Sequence, residues 1–191
     1  MGARTTTRQK MLYSAVELLR ERGAAGVTVD AVLARSKSPR GSVYHHFPGG
    51  RTELMSESLA LAGDTISAHI EKTTRDGASA ALRWFGEFWT AILRQSDFSA
   101  GCPVVSVAVG GSADDQHLQP AAAAIFKRWH EALAHAIASE GIDTARAERL
   151  ATMVVAAIEG AVMLCRTQRS TRPLDEVIAE LEILLDSVKS D

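Results

Sequence analysis

The chain has 191 residues, of which 46% are hydrophobic and 23% charged, so it is long enough to bury a sizeable core and has an ordinary globular composition. The formal net charge of −2 is unevenly distributed. Residues 1–55 carry nine Lys/Arg and four Asp/Glu, whereas residues 56–191 carry twelve and nineteen. A basic N-terminal part on an acidic remainder indicates contact with a polyanion, although chance segregation of charge stays open.

The composition disfavours a membrane or secreted protein. No apolar run approaches the roughly 20 residues of a membrane-spanning helix, and no signal-peptide core follows the basic segment 1–10. The two cysteines, Cys102 and Cys165, are far apart and lack the spacing of a metal site. We therefore expect a reduced, cytoplasmic protein with no metal and no cofactor.

Two helices are predicted at the N-terminus. Apolar residues recur at helical spacing over 5–22, and Gly23 supplies a stop. Thr28 is a favourable N-cap for a second helix. Ser36 and Lys37 then form a short turn into residues 38–47.

Residues 38–47 have the composition of a short DNA-recognition helix. Ser38 can cap it, and Pro39 suits the first helical position because its missing N–H would be unpaired anyway. Val43 and Phe47 form an inward face, and most other side chains are hydrogen-bond donors. A helix this short is unstable alone in water and must pack against neighbouring helices. Together the three predicted helices indicate a helix-turn-helix head.

A fourth helix is predicted from Arg51 to about Lys72. Arg51 lies at its N-terminus, where the helix dipole disfavours a cation. A phosphate bound by the side chain and the free N–H groups would explain an arginine there, and a solvated arginine is the alternative.

The middle of the chain is also helical. One helix is predicted from residue 76 or 79 to about Gln95. The apolar segment 102–109 predicts a short helix that begins at Pro103, and a further helix is predicted over 120–139. Residues 110–115 predict a mobile loop in which Asp114 and Asp115 are solvated. Alternating runs and Asn-Gly hairpin turns are absent, so the fold is predicted to be all-α with about nine helices.

The last two predicted helices begin near residue 143 and at Pro173. The heptad-like apolar stripes of these two helices are long enough to pack against each other and still leave apolar surface exposed. Two copies would bury this surface by forming a four-helix bundle in a homodimer. The alternative is that both stripes are buried within one protomer. The predicted interface comprises Val154, Ala157, Ala161, Leu164, Val177, Leu181, Leu184 and Val188.

With these elements in place, the chain resembles the TetR family of bacterial one-component transcriptional regulators. The resemblance is carried by residues 28–32, residues 41–47 and Leu54. Residues 39–51 and 101–104 resemble its LmrA-like branch. Lys37 departs from the family, which commonly has glycine in this turn. Either a lysine at positive φ carries some strain, or the turn is reshaped.

The resemblance implies a DNA-binding domain at residues 1–50 and an effector-binding and dimerisation domain at 51–191. The two heads of a homodimer would occupy successive major grooves of a pseudo-palindromic operator in double-stranded DNA. A small-molecule effector would control the distance between the two heads. The usual mode of regulation in the family favours repression.

The DNA contacts divide by their chemistry. Arg40, Gly41 and Ser42 are expected to face bases, because arginine can donate two hydrogen bonds to guanine and glycine permits close approach. The predicted DNA-binding set further contains Thr28, Lys37, Pro39, Tyr44, His45 and Arg51, most of them as phosphate contacts.

Aromatic residues on the middle helices predict a pocket for a hydrophobic or aromatic effector. Plain core packing is the alternative for each of them. The predicted ligand-binding residues are Trp84, Phe88, Trp89, Cys102, Phe126, Trp129 and Met153.

Two competing function classes are an enzyme, hydrolase-type or other, on a helical scaffold and a non-specific architectural DNA-binding protein. The sequence has no nucleophile elbow, phosphate-binding glycine loop or metal-spaced His/Cys cluster, so no catalytic residue is predicted. One compact basic head suits local, specific binding better than uniform coating of DNA.

Overall fold

The computed structural model describes residues 6–110 and 113–189, and over these residues it is helical without strands. The predicted all-α class is confirmed. The predicted helix start at Thr5 and the loop residues Gly111 and Ser112 lie outside the described residues. The α-helices are α1 (Thr7–Arg22), α2 (Val29–Ser36), α3 (Ser42–His46), α4 (Gly50–Thr73), α5 (Ala78–Gln95), α6 (Pro103–Ala108), α7 (Gln119–Ser139), α8 (Thr144–Gln168) and α9 (Arg172–Lys189).

Three 3₁₀ turns connect some of these helices. They span Ala24–Gly26 between α1 and α2, Thr74–Asp76 between α4 and α5, and Ala113–Leu118 between α6 and α7. The last of these turns occupies part of the predicted mobile loop.

The chain divides into two compact units. The head unit comprises the described residues up to Asp64 together with those from Cys102 to Ala123, and the body unit comprises the remainder. The predicted division at residue 50 differs from this one. The reason is that α4 is one continuous helix whose first part packs with the head, and the segment containing α6 packs there as well.

The first two helices of the head begin and end as their caps dictate. The Thr6 side chain accepts from the Gln9 N–H, and the Gln9 side chain accepts from the Thr6 N–H, which is a capping box. Thr28 caps α2 by accepting from the Ala31 N–H at 3.1 Å. Lys37 ends α2 in the left-handed conformation (φ 53°, ψ 39°), which is the strained one of the two alternatives for that turn.

In the body unit, α8 and α9 form a helical hairpin. Leu150, Ile158 and Cys165 of α8 and Leu174 and Leu185 of α9 are buried. Among the described residues α8 is also long and apolar enough to cross a membrane by length and composition alone, a test that the core helices of soluble domains pass as well.

Candidate DNA-binding surface and effector region

The recognition helix α3 begins later than predicted. Gly41, not Ser38, is its N-cap, with φ 87°, and Pro39 precedes the helix. The chain turns at Pro39, whose carbonyl accepts from the Ser42 N–H at 3.2 Å and the Ser42 hydroxyl at 2.5 Å. Ser38 instead accepts a hydrogen bond from the Ser36 hydroxyl. The prediction for this helix start is wrong because the turn satisfies the first donors without a side-chain cap.

Most of the predicted DNA-binding side chains are exposed around α3. Val43 and Phe47 are fully buried, as an inward face requires, while the Tyr44 side chain is 63% exposed. Ser42 is half-buried because its hydroxyl bonds the turn. The exposed members of the predicted set are Thr28, Lys37, Pro39, Arg40, Gly41, Tyr44 and His45.

Residues outside α3 hold it in place. The Arg8 guanidinium lies 4.8 Å from the centre of the Phe47 ring and forms an ion pair with Glu57 at 2.5 Å. Gly50 has φ +62°, and a Cβ there would lie 3.3 Å from Cε1 of Tyr44, so the Tyr44 ring lies close to the backbone at the start of α4. No local pattern in the sequence pairs Arg8 with Phe47, so this contact was not predicted.

Arg51 is the exception among the predicted phosphate contacts. Its Nε donates to the Val27 carbonyl at 2.7 Å, and Nη2 donates to the Ala24 carbonyl at 2.9 Å. The guanidinium also pairs with Asp115 through contacts of 2.7 and 3.3 Å. In this structure protein acceptors hold the Arg51 side chain, so its contact with phosphate stays a prediction.

Asp115 is likewise placed differently from the prediction. It belongs to the 3₁₀ turn Ala113–Leu118 and is 2% exposed, whereas the neighbouring Asp114 is exposed. A buried carboxylate requires compensating partners, and Arg51 supplies them. The two residues are 64 positions apart, a separation at which no sequence pattern indicates pairing.

In the body unit the aromatic residues form stacked and edge-to-face pairs. Trp84 stacks on Phe88 (4.7 Å between ring centres) and on His69 (5.1 Å). Phe88 contacts Trp89 edge to face. Trp84 and Phe88 are half-buried, while Trp89 is 1% exposed. Among the described residues the Trp89 indole N–H has no hydrogen-bond partner, which is rare for a buried donor.

The α7 aromatic residues pack near α4. Trp129 is buried, and its indole N–H donates to the Ser67 hydroxyl of α4 at 2.9 Å. Phe126, which is half-buried, meets the Trp129 ring edge to face. Trp129 therefore has a satisfied core environment, unlike Trp89.

The other two predicted ligand-binding residues lie apart from these rings. Cys102 precedes α6 in the head unit and is buried. Met153 is 41% exposed on α8 and lines a groove between α8 and α9.

A further cleft of about 630 Å³ in the body unit has several ionisable side chains in its lining. They are Glu71 of α4, Arg75 of the following 3₁₀ turn, His135 of α7 and Glu140 just after α7. Glu140 accepts from the Ala78 N–H at 2.7 Å and so caps α5.

The groove between α8 and α9 contains much of the predicted dimer face. It has a volume of about 530 Å³ and is mainly apolar, with Glu176 and Glu180 along α9. Five predicted interface residues line it: Ala157, Leu164, Val177, Leu181 and Leu184.

The other three predicted interface residues lie away from the groove. Val154, Ala161 and Val188 are buried inside the body unit and do not line the groove. The apolar stripe of each helix is wide enough to cover both a core side and an outer side, and periodicity does not separate the two. The apolar side chains of Met163 and Ile183 are also exposed on these helices, although neither was predicted at the interface.

Comparison with known proteins extends over the whole chain. Residues 12–57 match the family model of bacterial regulatory proteins of the tetR family, and residues 78–180 match that of the C-terminal domain of LmrA/YxaF-like transcriptional regulators. An uncharacterized HTH-type transcriptional regulator of Mycobacterium tuberculosis is 39% identical over 93% of each chain. The HTH-type transcriptional repressor DhaR of a Mycobacterium species is 26% identical, over 98% of this chain and 97% of its own.

Solved structures share the fold. The regulatory protein TetR from Rhodobacter sphaeroides superposes with a TM-score of 0.83 at 19% identity, covering 92% of this chain and 96% of that one. A cysteine mutant of the TetR-family regulator CifR, solved with 26-bp double-strand operator DNA, has a TM-score of 0.69 at 20% identity over 98% of this chain and all of that chain.

Proposed function

The chain belongs to the TetR family of DNA-binding transcriptional regulators, with an LmrA/YxaF-like C-terminal part, and on that premise we propose that it is a homodimeric repressor released from a pseudo-palindromic operator by a small hydrophobic or aromatic ligand. The exposed donor-rich surface at α3, on the basic part of the chain, carries the proposal. Repression is supported by the relative named as a repressor, and an operator in double-stranded DNA by the neighbour solved with one.

The turn before α3 supplies the base contacts. Arg40 is exposed there and can donate two hydrogen bonds to a guanine. Gly41 has open space at the position of a Cβ, so DNA can approach its backbone. Ser42 offers its hydroxyl from the first turn of α3.

The phosphate contacts surround this turn. Thr28 and Lys37, at the two ends of α2, and Tyr44 and His45, on α3, are exposed donors. Pro39 adds apolar contact area. Arg51 is left out of this set because Asp115 and two carbonyls occupy it.

Dimerisation covers the α8–α9 groove. Leu164 is half exposed and Val177 and Leu184 are partly exposed in an isolated protomer, so a second copy of the hairpin would remove apolar surface from water. Two heads then contact half-sites roughly 34–36 Å apart.

The effector region is built from the half-buried aromatic side chains. Trp84, Phe88 and Phe126 offer faces for an aromatic ligand, and the unpaired Trp89 N–H suits a ligand with a hydrogen-bond acceptor. Roles for Trp129, Cys102 and Met153 in ligand binding stay predictions.

The proposal assigns no reaction to the chain, in keeping with a family and relatives that are transcriptional regulators. Over the described residues no group of three or more His, Cys, Asp or Glu side chains is arranged to hold a metal ion. A regulator of this kind acts where the chromosome is, so we expect a cytoplasmic location.

Selection of genomic fragments by the purified protein, followed by footprinting, tests the DNA-binding part. One protected pseudo-palindrome is the expected result, and Arg40→Ala should need a higher protein concentration to give the same protection. Uniform coating of DNA would instead support an architectural protein, and no binding would reopen the enzyme class.

The ligand is tested separately, with a panel of small aromatic compounds at a fixed operator concentration. Compounds that release the operator should also quench tryptophan fluorescence, and Trp84→Leu should weaken both effects together. Release that survives Trp84→Leu and Phe88→Leu unchanged would place the effector elsewhere in the body unit.

A further inference from the structure

The Arg51–Asp115 pair lies directly beside the backbone that leads into α2. The two carbonyls that Arg51 binds belong to Ala24, in the 3₁₀ turn after α1, and to Val27, which immediately precedes the N-cap Thr28. Asp115 holds the guanidinium from the other side, at 2.7 Å. One arginine therefore joins the start of α2 to a residue that lies far along the chain.

The segment that carries Asp115 is itself firmly held in the head unit. Gln119 donates to the carbonyls of Val107 and Ala108 at 3.0 and 3.3 Å, which fixes the C-terminal end of α6. A Cβ at Gly110 would lie 2.9 Å from the Ser106 carbonyl oxygen and 3.7 Å from the Cβ of Ala24. The end of α6 thus approaches the same 3₁₀ turn that Arg51 binds.

We propose, on the basis of the DNA contacts proposed above for Arg40 and Gly41, that Asp115 is a positioning residue for DNA binding, which acts through Arg51 to fix the backbone at the start of α2. The helix-turn-helix can present Arg40 and Gly41 accurately only if α2 has a fixed starting point, because α3 follows it after a short turn. Two main-chain carbonyls, one guanidinium and one buried carboxylate provide that point. Asp115 lies within residues 78–180, which match the C-terminal family model, so that part of the chain holds the head directly.

The sign of the charge change separates this role from simple electrostatics. Asp115→Asn removes one negative charge and keeps the shape of the side chain. If only net charge mattered, the variant would bind DNA more tightly. A positioning role predicts weaker binding, because the amide holds the guanidinium less firmly and offers it one acceptor oxygen instead of two.

The experiment measures operator affinity by fluorescence anisotropy from 50 to 300 mM KCl, with the full chain and its selected operator. We expect Asp115→Asn to weaken binding by about tenfold, with an unchanged slope of log K against log salt. Asp114→Asn, an exposed neighbour with the same charge change, is the matched control and should bind as tightly as the unmodified protein or slightly more tightly. Equal or tighter binding by Asp115→Asn overturns the proposal.

Arg51 variants supply a second readout. Arg51→Gln should weaken binding without changing the salt slope, since the side chain touches no phosphate. A slope shallower by about one unit would return Arg51 to the phosphate contacts and overturn its positioning role. Arg51→Lys, which keeps the charge but has no guanidinium fork, should bind with intermediate affinity. Affinity equal to that of the unmodified protein would contradict the proposed geometry.

Hydrogen exchange distinguishes positioning from general loss of stability. In Asp115→Asn, amides from Ala24 to Val32 should exchange faster while those of α8 and α9 do not change. Acceleration throughout the chain would show a merely structural role and overturn the proposal. If Asp115→Asn fails to fold, the Arg51→Lys variant is used for the same exchange and affinity measurements.

Discussion

The head unit and the α8–α9 hairpin are stabilised by different kinds of contact. In the head, directional interactions place individual groups: Arg8 over Phe47, and Arg51 on Asp115 and two carbonyls. In the hairpin, a repeating apolar stripe packs two long helices and leaves a groove lined by Leu164 and Leu184. Directional contacts fix the orientation of the groups that they join, which DNA recognition needs. The free energy gained by burying apolar surface grows with the buried area and does not depend on direction, which suits association.

The largest effect is expected from a charge in the groove. Leu164→Glu should prevent dimerisation, because a carboxylate would be buried without a partner, and operator affinity should fall by about 100-fold or more as avidity is lost. Sedimentation and anisotropy measure the two effects. Thr152→Glu adds the same charge to an exposed position of α8 outside the groove and should leave the dimer intact. A Leu164→Glu dimer of normal affinity would remove the hairpin from the proposed association.

A single head contact should have a smaller and more selective effect. Arg40→Ala should weaken specific binding by about 1–3 kcal/mol and relax one operator position, because a base contact is lost. Binding to an operator library measures both quantities. Arg75→Ala, an exposed arginine of the body unit, is the control. An equal loss on random DNA would contradict base contact by Arg40.

The α2 cap tests how strongly the head depends on local hydrogen bonds. Thr28→Ala removes the acceptor for the Ala31 N–H and should lower the free energy of unfolding by about 1 kcal/mol. Urea denaturation measures the change through the transition midpoint. Thr28→Ser keeps the acceptor and should lose little. Equal losses in both variants would show that the methyl group matters and not the cap.

The smallest effect is expected at Lys37. Lys37→Gly should raise the free energy of unfolding by about 0.5–1 kcal/mol, since glycine adopts positive φ without strain. If Lys37 binds phosphate, the same variant should also reduce the slope of log K against log salt by about one unit in magnitude. Arg169 ends α8 at φ 51° and provides a matched control, because Arg169→Gly should leave the salt dependence unchanged. A steeper or equal slope in Lys37→Gly would exclude the phosphate contact.

The contrast between the two regions also explains what the sequence could predict. Helix positions and the Thr28 cap follow from patterns spanning a few residues, and the structure has them. For Lys37 the sequence left a strained or a reshaped turn open, and the structure has the left-handed conformation. The Arg51–Asp115 pair joins distant residues, and each alone favoured a different environment, phosphate for one and solvent for the other. Long-range pairing leaves no local pattern, so the prediction of a solvated Asp115 is wrong and the contact with Arg51 was not predictable from sequence.

Position along a helix is similarly easier to predict than the direction a residue faces. Val154 and Leu164 belong to one heptad-like series on α8, yet Val154 is buried in the protomer and Leu164 is half exposed in the groove. The prediction of the first residue of α3 is wrong for another reason, because the Pro39–Ser42 turn takes the place of the expected Ser38 cap.

The acceptors that Arg51 uses have a practical consequence for hybrid regulators. The residues before position 51 contribute only main-chain carbonyls to this contact, at Ala24 and Val27, and any sequence with the same backbone offers those. Both charged partners lie after position 50. A foreign helix-turn-helix joined at residue 50, the first residue of α4, therefore inherits the complete arginine–aspartate pair, whereas a junction after residue 51 divides the pair between two parents. Hybrids with the first junction should bind their operator. Hybrids with the second junction should not bind it wherever the donor lacks an arginine at position 51.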